Sequence, residues 1–276
     1  MKKLFVIVAI ITVALFGLSY AAATDPILVL YAFSAEGELL AKQMTIDKTE
    51  KVLGHMVHIG RLSGKDIVLA ESGIGMTNAA MTTQKMIDMY HPKDVIFSGI
   101  AGAIDSSVHI GDIVICRKWA THDYGYYGSN DFEPGGIEIY PPGKDSLIEM
   151  RYFEVDPLLF LKGSRLTRTA FVFDNIGARV PRVIIGEVGV SGNSFIDNVD
   201  KRLWLSSSFH ALVTDMESAS VAQVCTVNGI PFIIFRSASD LAGGSGSASA
   251  RVEIQQFFKV AAVNSAKVVM EFLKEL

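Results

Sequence analysis

The stretch Thr214–Gly244, TDMESASVAQVCTVNGIPFIIFRSASDLAGG, reads as a helix followed by a buried strand. Thr214 or Asp215 can cap the helix, with Glu217 and Ser218 in its first turn. Ala219, Val221, Ala222, Val224 and Cys225 supply a mostly apolar face, and Asn228-Gly229 stops the helix. Ile230–Arg236 is then a short apolar run of the kind buried on both faces of a sheet. It ends in Ser237-Ala238-Ser239-Asp240, ahead of a glycine-rich loop. Asp240 therefore falls at the carboxyl end of a strand, where open α/β sheets place their ligands. Both carboxylates also have a purely structural reading, with Glu217 facing the helix dipole and Asp240 capping the next turn.

Working outward, the same pattern recurs. Ile27–Phe33 is an apolar, strand-like run, and Ser34 follows as a helix cap, so Glu36 lies just past a strand end. Lys51–Arg61 and Lys65–Ala70 read as a hairpin around Ser63-Gly64, and Thr77–Met89 as a helix. Between them, Ser72-Gly73-Ile74-Gly75 makes a polar-ligand cradle at a helix N-terminus, without the spacing of a dinucleotide or P-loop motif. Asp94–Ser98 is a strand running into the small-residue turn Gly99-Ile100-Ala101-Gly102-Ala103, where backbone can approach a ligand. Ile110–Cys116 and Arg182–Ser191 are strands, the second ending in Gly192-Asn193-Ser194-Phe195-Ile196. Pro157–Phe173 and Asp197–Ser206 have helical spacing, and Val252–Leu276 is a helix with a long apolar stripe. Strands alternating with helices predict an α/β fold, a three-layer αβα sandwich around a central mixed, largely parallel sheet. Polar or glycine-rich signals at five strand ends point to a single ligand cleft. The segment Trp119–Phe153 is a long, aromatic, turn-rich excursion of the sort that is functional or mobile.

Composition sets further bounds. The chain has 276 residues, 50% hydrophobic and 20% charged, which suits one sizeable α/β domain. Net charge is −4 with no basic run, which argues against a nucleic-acid partner. Met1-Lys2-Lys3, the uncharged apolar Leu4–Leu18 and the small residues up to Ala23 form a signal-peptide pattern. The expectation is a signal peptide over 1–23 and a domain over 24–276, periplasmic or secreted, with no stable membrane association after cleavage. Cys116 and Cys225 both sit in apolar contexts and are expected as unpaired buried thiols. No His/Cys spacing suggests a metal site.

Taken together, these motifs resemble the nucleoside phosphorylase superfamily, and within it the methylthioadenosine/S-adenosylhomocysteine nucleosidase branch. The chain is also similar to exported bark-storage homologues of that branch. The carrying residues are Glu36, Ser72–Gly75, Gly99–Gly102 with Gly111-Asp112, Ser191–Ile196, Asp215–Ala219 and Arg236–Asp240, in the family's order. The resemblance implies hydrolysis of the N-glycosidic bond of a purine nucleoside, without cofactor or metal. Asp240 would protonate the departing base. Glu36 would activate a water on the opposite ribose face. Glu217 would grip the ribose hydroxyls. Met216 would pack on the ribose, Phe195 would stack on the base and Ile196 would read its edge. Gly75, Gly99, Ala101, Asp215 and Ser239 are the other substrate-binding positions implied. A homodimer is implied too.

Phosphorylases of the superfamily carry arginines before the glycine turn and near the first strand. Phe97 and Glu36 stand at those places here, with no arginine beside Glu36 in the sequence, which favours water over phosphate as nucleophile. The chain departs from the nucleosidases at Ile100, where a serine is usual, at Ser34-Ala35, and in the long excursion. The alternatives are a phosphate-dependent phosphorylase and a non-catalytic storage or ligand-binding protein on the same fold.

Overall fold

A computed structural model of the chain describes residues 25–129 and 131–276; the signal-peptide reading of 1–23 lies outside the described residues. In chain order the elements are β1 (Ile27–Tyr31), α1 (Ser34–Gln43), β2 (Thr45–Val52), β3 (His55–Leu62), β4 (Lys65–Glu71), α2 (Met76–Tyr90) and β5 (Asp94–Ala103). Then come β6 (Ile113–Thr121), the short strands β7 (Gly125–Tyr127), β8 (Phe132–Pro134), β9 (Ile137–Ile139), β10 (Ile148–Met150) and β11 (Phe153–Glu154), and α3 (Pro157–Arg165). The rest is β12 (Val183–Ser191), α4 (Val199–Phe209), β13 (Ala211–Asp215), α5 (Ser218–Asn228), β14 (Phe232–Leu241) and α6 (Ala250–Glu275).

The expected α/β architecture is present, with one mixed ten-stranded sheet ordered β11-β6-β12-β13-β5-β1-β4-β3-β2. The strand β14 pairs with both β5 and β6. The strands β5, β14, β6, β12 and β13 therefore form a closed ring, which removes their edges. Side-chain alternation along β14 sets the layers. Phe235 packs against Phe272 of α6, ring centroids 5.0 Å apart, while Arg236 turns the other way and bonds Ser218 at the start of α5. Each central strand is buried on both faces, as its unbroken apolar run requires.

Several boundaries differ from the sequence reading. Lys51–Arg61 is broken by a tight turn at Leu53-Gly54, both at positive φ, and the exposed strand β2 precedes it. A solvent-facing strand carries too few apolar residues to announce itself. Ser34 is the first helical residue rather than the cap; the Glu36 carboxylate caps instead, accepting from the Ala32 and Phe33 N–H groups. Gly99–Ala103 is no turn. β5 runs on through it because β14 pairs with it as far as Leu241. Helix α3 stops at Arg165, followed by a 3-10 turn over Leu166–Arg168, and the apolar spacing continues beyond it because Phe171 and Phe173 pack on the same core. His210–Thr214 leads into strand β13, which is hidden by its brevity and runs on through Asp215.

Candidate active site

Glu36, Glu217 and Asp240 line one cleft of about 210 Å³, the scale of a small molecule and not of a polymer. Each comes from a different strand end. Glu36 sits in the first turn of α1 after β1, Glu217 stands at the N-cap position of α5 after β13, where Asp215 Oδ1 accepts from Glu217 N and Ser218 N, and Asp240 is the penultimate residue of β14. All three are nearly inaccessible to solvent. Their hydrogen bonds hold them in place. Glu36 Oε2 accepts from Ala32 N at 2.6 Å and its Oε1 from Ile100 N at 2.8 Å. Glu217 Oε1 accepts from Gly75 N at 2.8 Å, at the N-terminus of α2.

Behind the cleft lies Arg236, which the sequence reading missed as a site residue. It is fully buried and faces three carboxylates. Its Nε pairs with Asp215 Oδ2 at 2.6 Å, Nη1 lies 3.8 Å from Glu36 Oε1, and Nη2 lies 3.6 Å from Glu217 Oε2. Asp215 is held in turn by the hydroxyls of Ser191 and Ser218. Neither Nη atom has a hydrogen-bond partner, so both can donate toward the space between the glutamates. One guanidinium cannot neutralise three carboxylates. Burial accordingly pushes Glu36 above the usual carboxylate range despite Arg236, and lifts Glu217 to about 7, with Asp215 adding to the rise.

Gly99 makes this arrangement possible. The guanidinium lies across it, and a Cβ there would fall 1.7 Å from Arg236 Nη1 and 2.6 Å from Glu36 Oε1. We expect Gly99→Ala to displace Arg236 and cost about 2–3 kcal/mol of stability, read by urea denaturation. An unchanged denaturation midpoint would contradict the packing described here.

Asp240 is treated differently by the fold. The β14–β5 register shifts between Ala238 and Asp240, so that Asp240 pairs with Gly102 while Ala238 pairs with Ala101. Ser239 is the extra residue of this bulge, and it turns Asp240 to the face opposite Arg236. The acid therefore escapes the positive charge. Its Oδ2 accepts from Ser239 Oγ at 2.8 Å, and its Oδ1, next to Gly102, has no partner. Burial raises its pKa to about 7, and Glu253 and Asp197 add like charge. At neutral pH the fold thus holds a carboxylic acid with a proton to give on one wall and glutamates of raised basicity on the other.

Of the residues singled out from sequence, Ala101, Phe195, Asp215, Met216 and Ser239 line the same cleft, and Ile196 lines a smaller space beside it. Phe195 is 43% exposed, which a core phenylalanine would not be, and so is free to meet a ligand. Its loop is pinned by Asn193, which accepts from Met76 N and donates to Asp123. Two expectations change. Gly75 and Gly99 do not line the cleft: Gly75 orients Glu217 and Gly99 makes room for Arg236. The expectation that Glu36 has no neighbouring arginine also fails, because the fold brings Arg236 from 200 residues away. Ile74, Ile100 and Ile254 form an apolar wall with Phe33. Ile74 and Ile100 lie in the glycine-rich stretches singled out above, whereas Phe33 and Ile254 belong to apolar patterns that read as core. No described residue of 119–153 lines the cleft, and Tyr124, Tyr126, Tyr127 and Tyr140 of that excursion are exposed. Among the described residues no His/Cys/Asp/Glu group is placed to hold a metal.

Comparison with known proteins identifies the family. The family model of the phosphorylase superfamily matches residues 26–274. The 5'-methylthioadenosine/S-adenosylhomocysteine nucleosidases of Bacillus cereus (strain G9842) and Bacillus thuringiensis (strain Al Hakam) are each 32% identical over 251 residues, covering 91% of this chain and 99% of the relative. The crystal structure of the 5'-methylthioadenosine/S-adenosylhomocysteine nucleosidase of Neisseria meningitidis, in complex with methylthio-immucillin-A, matches with a TM-score of 0.75 at 28% identity. That match covers 92% of this chain and 100% of the other. The futalosine hydrolase of Helicobacter pylori strain 26695 matches with a TM-score of 0.75 at 26% identity, covering 91% and 98%.

Proposed function

The chain belongs to the phosphorylase superfamily, in its nucleosidase branch, and from that premise we propose that it hydrolyses adenosine-type nucleosides of the methylthioadenosine/S-adenosylhomocysteine class. The observation that carries this reading is the split of the cleft into a buried carboxyl group of raised pKa, Asp240, and a facing pair, Glu36 and Glu217, backed by Arg236.

In the proposed reaction the C1′–N bond breaks and its electron pair leaves with the base. Asp240 gives its proton to the departing purine, so the leaving group is neutral adenine. Positive charge grows on the ribose, and Glu217, with one oxygen tied to Gly75, turns the other toward the sugar hydroxyls. Water adds at C1′ from the opposite face. Glu36 takes its proton, and a carboxylate whose pKa is raised by burial is the stronger base for doing so. The free Nη1 and Nη2 donors of Arg236 suit a water oxygen held between the two glutamates.

The apolar wall of Phe33, Ile74, Ile100 and Ile254 suits an uncharged thioether at the 5′ position, since no Lys, Arg or His among the described residues lines the cleft. The preference for water over phosphate now rests on charge balance and not on a missing arginine. Arg236 is already shared by three carboxylates, and a phosphate anion would add to the unbalanced negative charge.

The test is release of free adenine from methylthioadenosine by the purified chain, with and without phosphate. Equal release in both is expected. Release only with phosphate makes the chain a phosphorylase, and release in neither leaves a ligand-binding protein. A mature chain starting near Thr24, periplasmic or secreted and homodimeric, belongs to the same proposal. Cell fractionation with N-terminal sequencing tests the export, and an intact Met1 in the cytosol overturns it.

A further inference from the structure

Beyond the residues that face the cleft, Glu253 of α6 stands out as a buried carboxylate with no role in the reaction described. It is 4% exposed. Its Oε2 accepts from Leu241 N at 2.8 Å and its Oε1 from Ser245 N at 3.0 Å. Leu241 is the residue directly after Asp240. The same glutamate sits in the first turn of α6, where the positive end of the helix faces its charge, and its neighbour Ile254 lines the cleft. The loop it spans is closed tightly. Gly243, at φ +95, runs so near Val199 N and Asn198 that a Cβ would fall 2.7 Å from the nearest atom, and Asp197 accepts from Ala250 N at 2.8 Å to cap α6 from the other side.

We propose that Glu253 is a positioning residue for Asp240: it clamps the end of β14 to the first turn of α6 and places a fixed negative charge beside the acid. This rests on the nucleosidase reading above and deepens it. The electrostatic half follows from what surrounds Asp240. At the near ends of the packed elements the charged groups are Glu253 and Arg251 on α6, Asp197 ahead of α4, and the exposed Asp200 with Lys201 and Arg202 on α4. Lys201 lies over the Trp204 ring, Arg202 donates to Gly244 O on the far side of the loop, and Arg251 is solvent-exposed. Arg236 and Glu217 stand on the face from which the bulge turned Asp240 away. Among the described residues no cation therefore offsets Glu253 at Asp240, and Glu253 is the leading like charge in raising it. Glu253 thereby couples the acid that releases the base to the apolar wall that receives the 5′ group.

The experiment is a pH titration of the Asp240 side-chain carboxyl by carbon-13 NMR, assigned by the signal lost in Asp240→Asn, in the wild type and in Glu253→Gln. The pH profile of kcat/KM is recorded alongside. Glutamine keeps the shape and an acceptor oxygen but removes the charge. The Asp240 midpoint and the alkaline limb of kcat/KM should both move down by about one pH unit. An unmoved midpoint in folded Glu253→Gln overturns the proposal. If that variant does not melt cooperatively, Glu253→Asp carries the test, because withdrawing the charge by one methylene shifts the midpoint the same way by less, and no shift overturns it. A moved midpoint in a chain that releases no adenine sinks the nucleosidase reading and leaves the Glu253–Asp240 coupling standing.

Discussion

Replacing Asp240 with asparagine lowers kcat for adenine release by about 10²- to 10⁴-fold, the usual worth of a general acid, and makes the protein more stable at pH 8. The first effect follows because asparagine keeps the acceptor for Ser239 Oγ but has no proton to give to the base. The second follows from linkage. The folded-state pKa of Asp240 is raised, by burial first and then by Glu253 and Asp197, to about 7. Its unfolded value is near 3.9. The folded protein therefore binds a proton that the unfolded chain releases, and the group costs stability as pH rises from about 4 to about 7. Below that window the penalty vanishes. The amide of Asp240→Asn has nothing to ionise, so the variant gains about 2–4 kcal/mol at pH 8 and nothing near pH 4. Denaturant unfolding at the two pH values measures the difference. Equal stability of wild type and variant at pH 8 would show that the fold does not raise the pKa of Asp240. The same shift predicts that kcat/KM of the wild type falls as pH rises through about 7, as the acid is lost.

Arg236→Met has the opposite signature. Methionine fills much of the arginine's volume but leaves Asp215, Glu36 and Glu217 buried without a counter-charge. Removing one member of a buried ion cluster costs about 3–5 kcal/mol, because the remaining charges stay desolvated. The cost depends on pH. Without Arg236 the folded pKa values of Glu36 and Glu217, already raised by burial, rise further above their unfolded values, so the deficit grows as pH climbs from about 4 and is smallest below it. Unfolding free energies of wild type and variant at pH 5 and pH 8 read this out. A deficit equal at both would mean that Arg236 acts through packing, against the Phe97 ring 4.0 Å away, and not through charge. Activity does not return at the lower pH, because the Nη1 and Nη2 donors beside Glu36 and Glu217 are gone.

How much of this is legible in the sequence differs element by element. The central strands announce themselves because each is an unbroken apolar run, and α2, α5 and α6 because their apolar spacing and, for α5, the Asn228-Gly229 stop are local patterns. The exposed β2 and the short β13 do not, since neither carries a distinct hydrophobic period. The glycines of 99–103 read as a turn because glycine is ambiguous without its neighbours. In the fold, Gly99 serves a straight strand and makes room for a side chain from the adjacent one.

Local sequence was enough to say which groups could do chemistry. Glu36, Glu217 and Asp240 stand at strand ends, and the register of helix and strand that puts them there is a short-range matter of hydrophobic period and capping. The state of those carboxylates came from the packed fold alone. Asp240 lies four residues from Arg236, yet the bulge at Ser239 turns it away, while Glu36, 200 residues distant, lies within 3.8 Å of the same guanidinium. Glu217 lifted to about 7 is likewise a product of burial and of neighbours from other elements. Protonation depends on distance and desolvation, which fall off within a few ångströms and bear no relation to separation along the chain. The stretch Thr214–Gly244 holds Asp240, Glu217 and Arg236 together in sequence. Packing set Arg236 beside the glutamates and turned Asp240 away from it.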